Sequence, residues 1–341
     1  MKNPHAFRVY LTLSAASTFF NAVMFTVLTV YYVTVAGLNP LQLVLVGTVM
    51  EIATLLFEIP TGIVADLYSR RLSVIIGTFV TGAALVMVGF SSTFFMIACS
   101  LAVYGIGSTF LSGAREAWIV DEVGEEHASY VFLRTTRIRR IAQLFGTFVS
   151  VGLASIALSL PILLGGSLTV VLGVYLIFVM PETGFQPSVT AARSSWRAMR
   201  TGMADGVQLI QRRPLLRWFL MVAIVFGAYA EAFDRLGEAH FLINFDFPAL
   251  GNFDQVVWFG IIRAGAQLLG FFGAGMASQR LQLDEIGSTV RILSILQLCW
   301  IGGVIAFGLA GNFYTALLAY WSIGAIQTVH QPIYSGWLNQ H

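Results

Sequence analysis

Residues Thr61 to Arg71 read Thr-Gly-Ile-Val-Ala-Asp-Leu-Tyr-Ser-Arg-Arg, a short charged segment between two long apolar runs. Ionised groups beside hydrocarbon cost several kcal/mol unless they lie at the membrane interface or pair with one another. The charged residues Asp66, Arg70 and Arg71 therefore indicate a turn at a membrane surface, with one apolar helix leading to it and another leading away.

The apolar character on both sides of this turn continues along the whole chain. Of 341 residues, 57% are hydrophobic and 11% are charged, whereas soluble domains carry about 25% charged residues. The mean hydropathy is +0.79. A bilayer core of about 30 Å needs about 20 apolar residues per helix. The sequence predicts an all-α, polytopic membrane helix bundle with ten spans, at about 8–36, 41–65, 73–90, 93–114, 138–159, 161–180, 215–238, 255–278, 290–310 and 313–334.

The positive charges divide the connections between these spans into two sets. All of the 19 Lys and Arg residues except Arg235 and Arg263 lie at the N-terminus or in and beside alternate connections. Cytoplasmic loops carry an excess of Lys and Arg, which is the positive-inside rule. We therefore expect a multi-pass protein of the cell inner (plasma) membrane, with the N-terminus and the 61–71 turn in the cytoplasm.

The longest connection separates six spans from the four that follow. Within it Arg193, Arg197 and Arg200 recur at helical spacing, with apolar residues on another face. This pattern is typical of a helix lying on a membrane surface, and a solvated linker helix fits it equally well. The sequence predicts an N-terminal six-helix half over 1–180, a cytoplasmic linker with an amphipathic helix over 181–214, and four of an expected six helices over 215–341.

The chain ends where the tenth span would emerge into the cytoplasm. Six spans, a linker and further spans are the layout of a transporter built from two repeated halves. We expect a C-terminally incomplete product, because a half-bundle that lacks two helices would expose interior faces to lipid. A protein with ten spans by design is the alternative.

The turn itself carries a specific resemblance. Residues 58–71 resemble the loop between helices 2 and 3 of the major facilitator superfamily, in which a glycine is followed four residues on by an aspartate and then by paired basic residues. The sequence keeps Gly62, Asp66, Arg70 and Arg71. It departs from the family pattern at positions 67 and 69, where leucine and serine replace the arginine and glycine that the family often has.

Two further segments, 112–122 and 233–242, resemble a bacterial drug and macrolide exporter branch of this family. The resemblance implies a fold of two six-helix halves that transports a solute by alternating access. Proton-coupled exporters of the family often carry an arginine four residues before a glycine in helix 4, and here that position is Leu101. The glycine-proline pattern of family antiporters in helix 5 is also missing, so proton coupling depends on the carboxylates alone.

The four family residues of the turn are interpreted as a gating loop. Asp66 can pair with an arginine of the turn or with free N–H groups at the start of a neighbouring helix. Charges that pair in only one conformation shift the balance between inward-open and outward-open forms. The alternative is that Arg70 and Arg71 only anchor the turn at the membrane surface.

Charged residues within the spans are the candidates for the proton and substrate path. Glu51 lies near the middle of the second span, where a carboxylate could carry a proton or be hydrogen-bonded permanently to a neighbouring helix. In the seventh span Arg235 has spacings of i,i+4 from Glu231 and i,i+3 to Glu238, so one cation is flanked by two acids on the same helix. Arg263 of the next span is expected to pair with Asp234 or Glu231. An outer gate or proton path and a solvated outer rim both fit this group.

Asn21, in the first span, could contact substrate or serve in helix packing.

A second group of charged residues falls at the cytoplasmic ends of the spans, where it is expected to hold the two halves together in the outward-facing form rather than to touch substrate. This cytoplasmic network comprises Glu58, Arg115, Glu116, Asp121, Arg134 and Arg137.

Other chemistries leave no pattern in the sequence. There is no phosphate-binding Gly-x-x-x-x-Gly-Lys-Ser/Thr motif, and the five histidines have no metal-ligand spacing. A net charge of +2 gives no basis for nucleic-acid binding. We therefore expect no cofactor and no metal.

The function expected from the sequence is secondary active transport by a monomer in contact with membrane lipid, with proton-coupled export of a small amphipathic solute. Because no nucleophile and base pair is evident, the chain is not expected to be an enzyme. The alternatives are a membrane-embedded enzyme or receptor-like protein, and an inactive truncated remnant of a transporter.

Overall fold

The computed structural model describes residues 3–186, 208–209, 211–249, 255–280 and 286–340. Within these ranges the chain is entirely α-helical, as expected, and no strand occurs. The helices are α1 (Pro4–Phe25), α2 (Leu28–Thr34), α3 (Pro40–Leu67), α4 (Arg70–Gly89), α5 (Phe94–Leu111), α6 (Ala114–Val123), α7 (Glu125–Ala154), α8 (Leu160–Val179), α9 (Pro214–Asn244), α10 (Val256–Arg280), α11 (Ile286–Gly308) and α12 (Phe313–Gln340).

Each of the ten predicted apolar runs coincides with a helix, and the first coincides with the pair α1 and α2. In the described part of the chain, six helical segments are long and apolar enough to cross a membrane: Pro4–Thr34, Pro40–Leu67, Arg70–Gly89, Phe94–Val123, Leu160–Val179 and Arg291–Gly308. The amphipathic helix expected around Arg197 lies outside the described residues, and the domain boundaries stay predictions.

Three helices extend well beyond the runs that the hydropathy pattern predicts. α7 begins at Glu125 rather than near residue 138, α9 continues to Asn244 rather than ending near residue 238, and α12 continues to Gln340 rather than ending near residue 334. The first turns of α7 carry many charges, but a helix needs only one apolar face. Val131 and Thr135 are buried on that face while the arginines around them stay exposed. An apolar run therefore underestimates a helix that continues beyond the hydrocarbon.

The helices pack in two bundles. In the N-terminal bundle, α5 packs on α3 and α4, and α8 packs on α1 and α4, with α7 against α1. In the C-terminal bundle, α12 packs on α10 and α11. The two bundles meet where α9 contacts α2 and α3 and where α10 contacts α7.

The chain crosses back and forth between two ends of this assembly. One end carries the start of α1, the α3–α4 turn, α6 and residues 180–186, and we call it the basic end. The other carries the α2–α3, α4–α5, α7–α8 and α11–α12 connections, and we call it the opposite end. Both ends hold clusters of charged side chains.

Candidate functional site

At the basic end, the arginine pair of the predicted gating loop binds groups of its own bundle. Arg70 forms an ion pair with Asp121 of α6 and also donates to the Ala117 carbonyl at 2.9 Å. Arg71 donates through Nε to the Met180 carbonyl at 2.7 Å and through Nη2 to the Ile177 carbonyl at 2.5 Å. The turn is thereby fixed to α6 and to the end of α8.

A glutamate that follows α8 completes the attachment of this turn. Glu182 accepts the backbone N–H of Arg71 at 2.9 Å and the Ser69 hydroxyl at 2.6 Å. Ser69 in turn caps α4 by accepting the N–H of Leu72 at 2.8 Å. Position 69 carries a serine where the resembling loops often have glycine. Here Ser69 is the N-cap of α4, and its hydroxyl also donates a hydrogen bond to Glu182.

A second glutamate fastens α6 to the same segment. Glu122 is only 2% exposed and accepts four hydrogen bonds: from Asn3 Nδ2 at 2.7 Å, from the N–H and hydroxyl of Thr183 at 2.5 and 2.7 Å, and from the N–H of Gly184 at 2.8 Å. A buried carboxylate is stable only when its oxygens are bonded in this way. We call Ser69, Arg70, Arg71, Asp121, Glu122 and Glu182 the basic-end clasp.

The position of α6 in the clasp depends on the backbone before it. Gly113 has φ 67°, in the left-handed region that a side chain rarely adopts, and no atom lies within 4 Å of where its Cβ would stand. This glycine lets the chain turn sharply between α5 and α6. The turn directs Asp121 and Glu122 towards Arg70 and the segment after α8.

Sequence reasoning missed Glu122 and Glu182 as members of this site. Both are acids in a chain with few charges, and Glu122 adjoins Asp121, which was selected. The signal that could have found them is charge matching: the arginines at the basic end need acidic partners, and few acids are available there. Half of the hydrogen bonds that they accept, however, come from the backbone N–H groups of Thr183, Gly184 and Arg71, which leave no mark in a sequence.

The other two gating-loop residues make no comparable contacts. Asp66 is exposed and has no hydrogen bond or ion pair with any residue that the structure describes, because Arg70 and Arg71 both turn away from it. A Cβ added at Gly62 would meet no atom within 4 Å. The gating role of these two residues stays a prediction.

The predicted cytoplasmic network does not assemble as one cluster. Asp121 joins the clasp, whereas Arg134 donates to the Tyr130 hydroxyl at 2.7 Å. Arg115 lies 3.4 Å from the Ser17 hydroxyl, a long contact inside the N-terminal bundle. The remaining members, Glu58, Glu116 and Arg137, are exposed and form no ion pair within the described ranges.

At the opposite end, the charged residues of α9 form two ion pairs. Arg235 binds Glu231 on the preceding turn at 2.6 Å, as expected. Arg263 of α10 binds Glu238 at 2.5 Å, so the expected partners of Arg263, Asp234 or Glu231, were wrong. Glu238, which was expected to flank Arg235 on the same helix, binds Arg263 instead. The reason is the extra length of α9: Glu238 lies in a helix that continues past it and is buried, 3% exposed, on the side of α10.

Between the bundles, these pairs border a cavity of about 160 Å³. Its lining includes Asp234, Arg235 and Arg263 from the C-terminal bundle, and Thr29 and Tyr32 from the N-terminal bundle. We call Glu231, Asp234, Arg235, Glu238 and Arg263 the opposite-end cluster.

The two bundles are in close contact around this cluster. An ideal Cβ at Gly47 of α3 would lie 2.5 Å from Arg235 Nε, so the Arg235 side chain rests directly against the backbone of α3. Val27, Ala154 and Val256 share an apolar cluster where α7 and α10 meet. The bundles are therefore closed against each other at the opposite end.

The remaining candidates lie elsewhere. Glu51 is exposed on α3 and lines neither the cavity between the bundles nor a larger one inside the N-terminal bundle. Asn21 lines that larger cavity, of about 490 Å³, together with Tyr104, Arg115 and Glu116. Among the described residues, no three His, Cys, Asp or Glu side chains are grouped to hold a metal ion.

Comparisons with known proteins agree with this architecture. The family model of the Major Facilitator Superfamily matches residues 11–341. The uncharacterized MFS-type transporter YxaM of Bacillus subtilis (strain 168) is 23% identical over 314 residues, which are 88% of this chain and 72% of the relative.

Solved transporter structures share the fold. The nucleoside transporter NupG superposes with a TM-score of 0.74 at 14% identity, covering 98% of this chain and 82% of that one. An inward-facing, unoccupied bacterial homologue of the human lysosomal transporter Spinster gives 0.66 at 16% identity, covering 97% and 74%. With its helical bundles and apolar spans, the chain belongs to the Major Facilitator Superfamily and is a multi-pass membrane transporter rather than an enzyme.

Proposed function

We propose that this transporter works by alternating access and exports a small amphipathic solute in exchange for protons. The observation that carries the proposal is the opposite-end cluster, in which two ion pairs, Glu231 with Arg235 and Glu238 with Arg263, lie where the two bundles close on each other. By the positive-inside rule the basic end is cytoplasmic. The form described is then closed on the outer side.

The acids of this cluster are the proton carriers in our proposal. Asp234 lines the cavity between Arg235 and Arg263 but has no ion pair of its own among the described residues. When the bundles separate at this end, water enters and an acid can take up a proton from outside. Protonation weakens the hold of that acid on a neighbouring arginine, so the two protonation states favour different conformations.

The basic-end clasp has a different place in this mechanism. Its members all belong to the N-terminal bundle or to the segment directly after it, so it keeps α4, α6 and α8 together while that bundle tilts. Asp66 is the member of the gating loop left free to contact the C-terminal bundle when the basic end closes. We propose that this contact favours the outward-open form.

Glu51 is a weaker candidate than the sequence indicates. In this form its side chain is on an exposed face of α3 and away from both cavities. The nucleoside and Spinster-like transporters of similar fold are at most 16% identical, so their solutes are not carried over to this chain.

The test is transport by purified protein in proteoliposomes with an imposed pH gradient. Suitable solutes are one cation, one neutral compound and one carboxylate: ethidium, chloramphenicol and 4-hydroxyphenylacetate. We expect gradient-driven movement of at least one of them, lost in Asp234→Asn and kept in Glu125→Gln, a control at an exposed acid at the start of α7. No gradient-driven movement of any of the three, with protein that is folded and monodisperse, would contradict the proposal and favour an inactive remnant.

A further inference from the structure

The cavity inside the N-terminal bundle has no role in the mechanism above. It has a volume of about 490 Å³ and lies among α1, α4, α5 and α8, with its charged residues, Arg115 and Glu116, from the start of α6. Pockets that hold drug-sized ligands measure about 300–1,000 Å³. The cavity is therefore large enough for a solute and is distinct from the opposite-end cluster.

Arg115 is the group in this cavity whose bonding is most incomplete. A guanidinium has five N–H donors. Here one contacts the Ser17 hydroxyl at 3.4 Å, and the Nε atom is buried without a hydrogen-bond partner. Arg115 has no ion pair in the described chain, and the charged groups near enough to interact with it are Glu116 and Arg139. The surroundings therefore carry an excess of one positive charge, which an anionic group would neutralise.

The hydroxyl groups of the cavity wall can act towards a ligand only as hydrogen-bond acceptors. Those of Thr78, Thr81, Ser108 and Thr169 each donate to a carbonyl of their own helix, at 2.7 to 2.8 Å. A hydroxyl has one donor and two acceptor lone pairs. Since the donor is already used, each of these groups offers only an acceptor to the cavity, which favours a ligand with N–H or O–H groups.

Apolar side chains complete the wall. Leu13, Leu85 and Leu111 line the same cavity, from three different helices. We infer that the cavity binds a small amphipathic carboxylate that also carries a hydrogen-bond donor, with its carboxylate on Arg115 and its apolar body against the leucines. The role of this carboxylate as the transported solute rests on the proposed function, but its binding does not.

The test is isothermal titration calorimetry on the full chain purified in detergent, with 4-hydroxyphenylacetate as the probe. Its neutral counterpart, 2-(4-hydroxyphenyl)ethanol, keeps the ring and the phenol and lacks the carboxylate. We expect the carboxylate to bind more tightly than the alcohol by about tenfold to a hundredfold, the range for a charge-assisted hydrogen bond. Arg115→Gln should remove that difference, while Arg115→Lys should keep part of it.

The control is Arg8→Gln, which removes an exposed arginine of α1 that does not line the cavity and should leave both affinities unchanged. A cooperative thermal unfolding transition checks that each variant is folded. If Arg115→Gln does not fold, the inference is still tested by Arg115→Lys and by the comparison of the two probes on the parent protein. Equal affinities for the two probes, no detectable binding of the carboxylate, or full binding by Arg115→Gln would each overturn the inference. Carboxylate binding without pH-driven transport would keep it and contradict the proposed function instead.

Discussion

The basic-end clasp and the opposite-end cluster both consist mainly of arginines and acids, but they lie in different places: the clasp within one bundle and the cluster at the boundary between the two bundles. In the clasp, Arg71 and Glu122 bind mainly backbone groups of one bundle and of the segment that directly follows it. In the cluster, Arg235 lies against α3 of the other bundle, and Arg263 pairs with a buried glutamate of its own half and lines the cavity between the bundles. The clasp therefore stabilises one bundle, whereas the cluster lies where the two bundles meet, with Arg235 in contact across that boundary.

Because of this difference, we expect the clasp to affect the free energy of unfolding and the opposite-end cluster to affect the free energy difference between the closed and open forms. A contact that exists in every conformation adds to the free energy of unfolding and leaves the conformational balance unchanged. A contact made in one conformation shifts the balance, and about 5.5 kcal/mol takes a two-state equilibrium from 1:99 to 99:1. Variants of the two clusters should therefore separate in an experiment that measures stability and opening together.

Opening can be followed by the rate at which a maleimide modifies a cysteine at position 29, because Thr29 lines the cavity between the bundles. Cys99 and Cys299 are both exposed and must first be replaced by serine. The reporter is then Thr29→Cys in this background.

The largest effect is expected from Arg263→Gln. It leaves Glu238, whose side chain is 4% exposed, without its ion pair, and breaking a buried pair in this way costs about 3–5 kcal/mol. Because Arg263 lines the cavity between the bundles, water reaches the unpaired Glu238 most easily when this cavity opens, so labelling at position 29 should become much faster. The double variant with Glu238→Gln removes both charges and should restore slow labelling. Fast labelling in the double variant, or unchanged labelling in the single one, would contradict the assignment.

A smaller effect is expected from a leucine at Gly47, where α3 approaches α9. The new side chain must displace Arg235, and overpacking of this kind costs about 1–3 kcal/mol. Labelling at position 29 should again become faster. Gly152→Leu on α7 is the control, since its Cβ meets no atom within 4 Å. Equal effects of the two substitutions would show that closeness to α9 is not what matters.

Glu122→Gln tests the clasp. An amide cannot accept all of the four hydrogen bonds of Glu122, so a buried N–H group is left unpaired, at a cost of about 1–3 kcal/mol. The free energy of unfolding, measured in detergent, should fall by this amount, while labelling at position 29 stays at the parent rate. Glu125→Gln, at an exposed position, is the control. Faster labelling in Glu122→Gln would mean that the clasp also controls opening.

The smallest effect on stability is expected from Asp66→Asn. Asp66 is exposed and makes no hydrogen bond with the described residues, so unfolding should change by less than about 0.5 kcal/mol. If the aspartate favours the outward-open form, as we propose, its loss should make labelling at position 29 slower. Faster labelling than in the parent protein would contradict that role.

The sequence could predict the helices and the position of the charges, but not most of their partners. Hydropathy located a helix at every apolar run, because burial in hydrocarbon selects long apolar segments. It did not show that α7 starts at Glu125, since a helix outside the hydrocarbon keeps its charges. The i,i+4 spacing predicted the pair of Glu231 with Arg235, which is local.

Contacts between helices were harder to infer. The pair of Glu238 with Arg263 depends on where α9 ends and how it is rotated against α10, and neither is written in the spacing of residues. Glu122 and Glu182 bind backbone N–H groups, which every residue other than proline has. The contact of Arg235 with the backbone of α3 is made at Gly47, one of 33 glycines in the chain.

The most direct test of the difference between the two clusters is a pair of distances measured by double electron–electron resonance. One pair of spin labels, at Val35 and Leu309, spans the two bundles at the opposite end, and the other, at Tyr68 and Tyr130, lies within the N-terminal bundle near the clasp. All four positions are exposed. In Arg263→Gln we expect a second, longer distance between Val35 and Leu309 and an unchanged distance between Tyr68 and Tyr130. A change at the clasp with none at the opposite end would contradict the account.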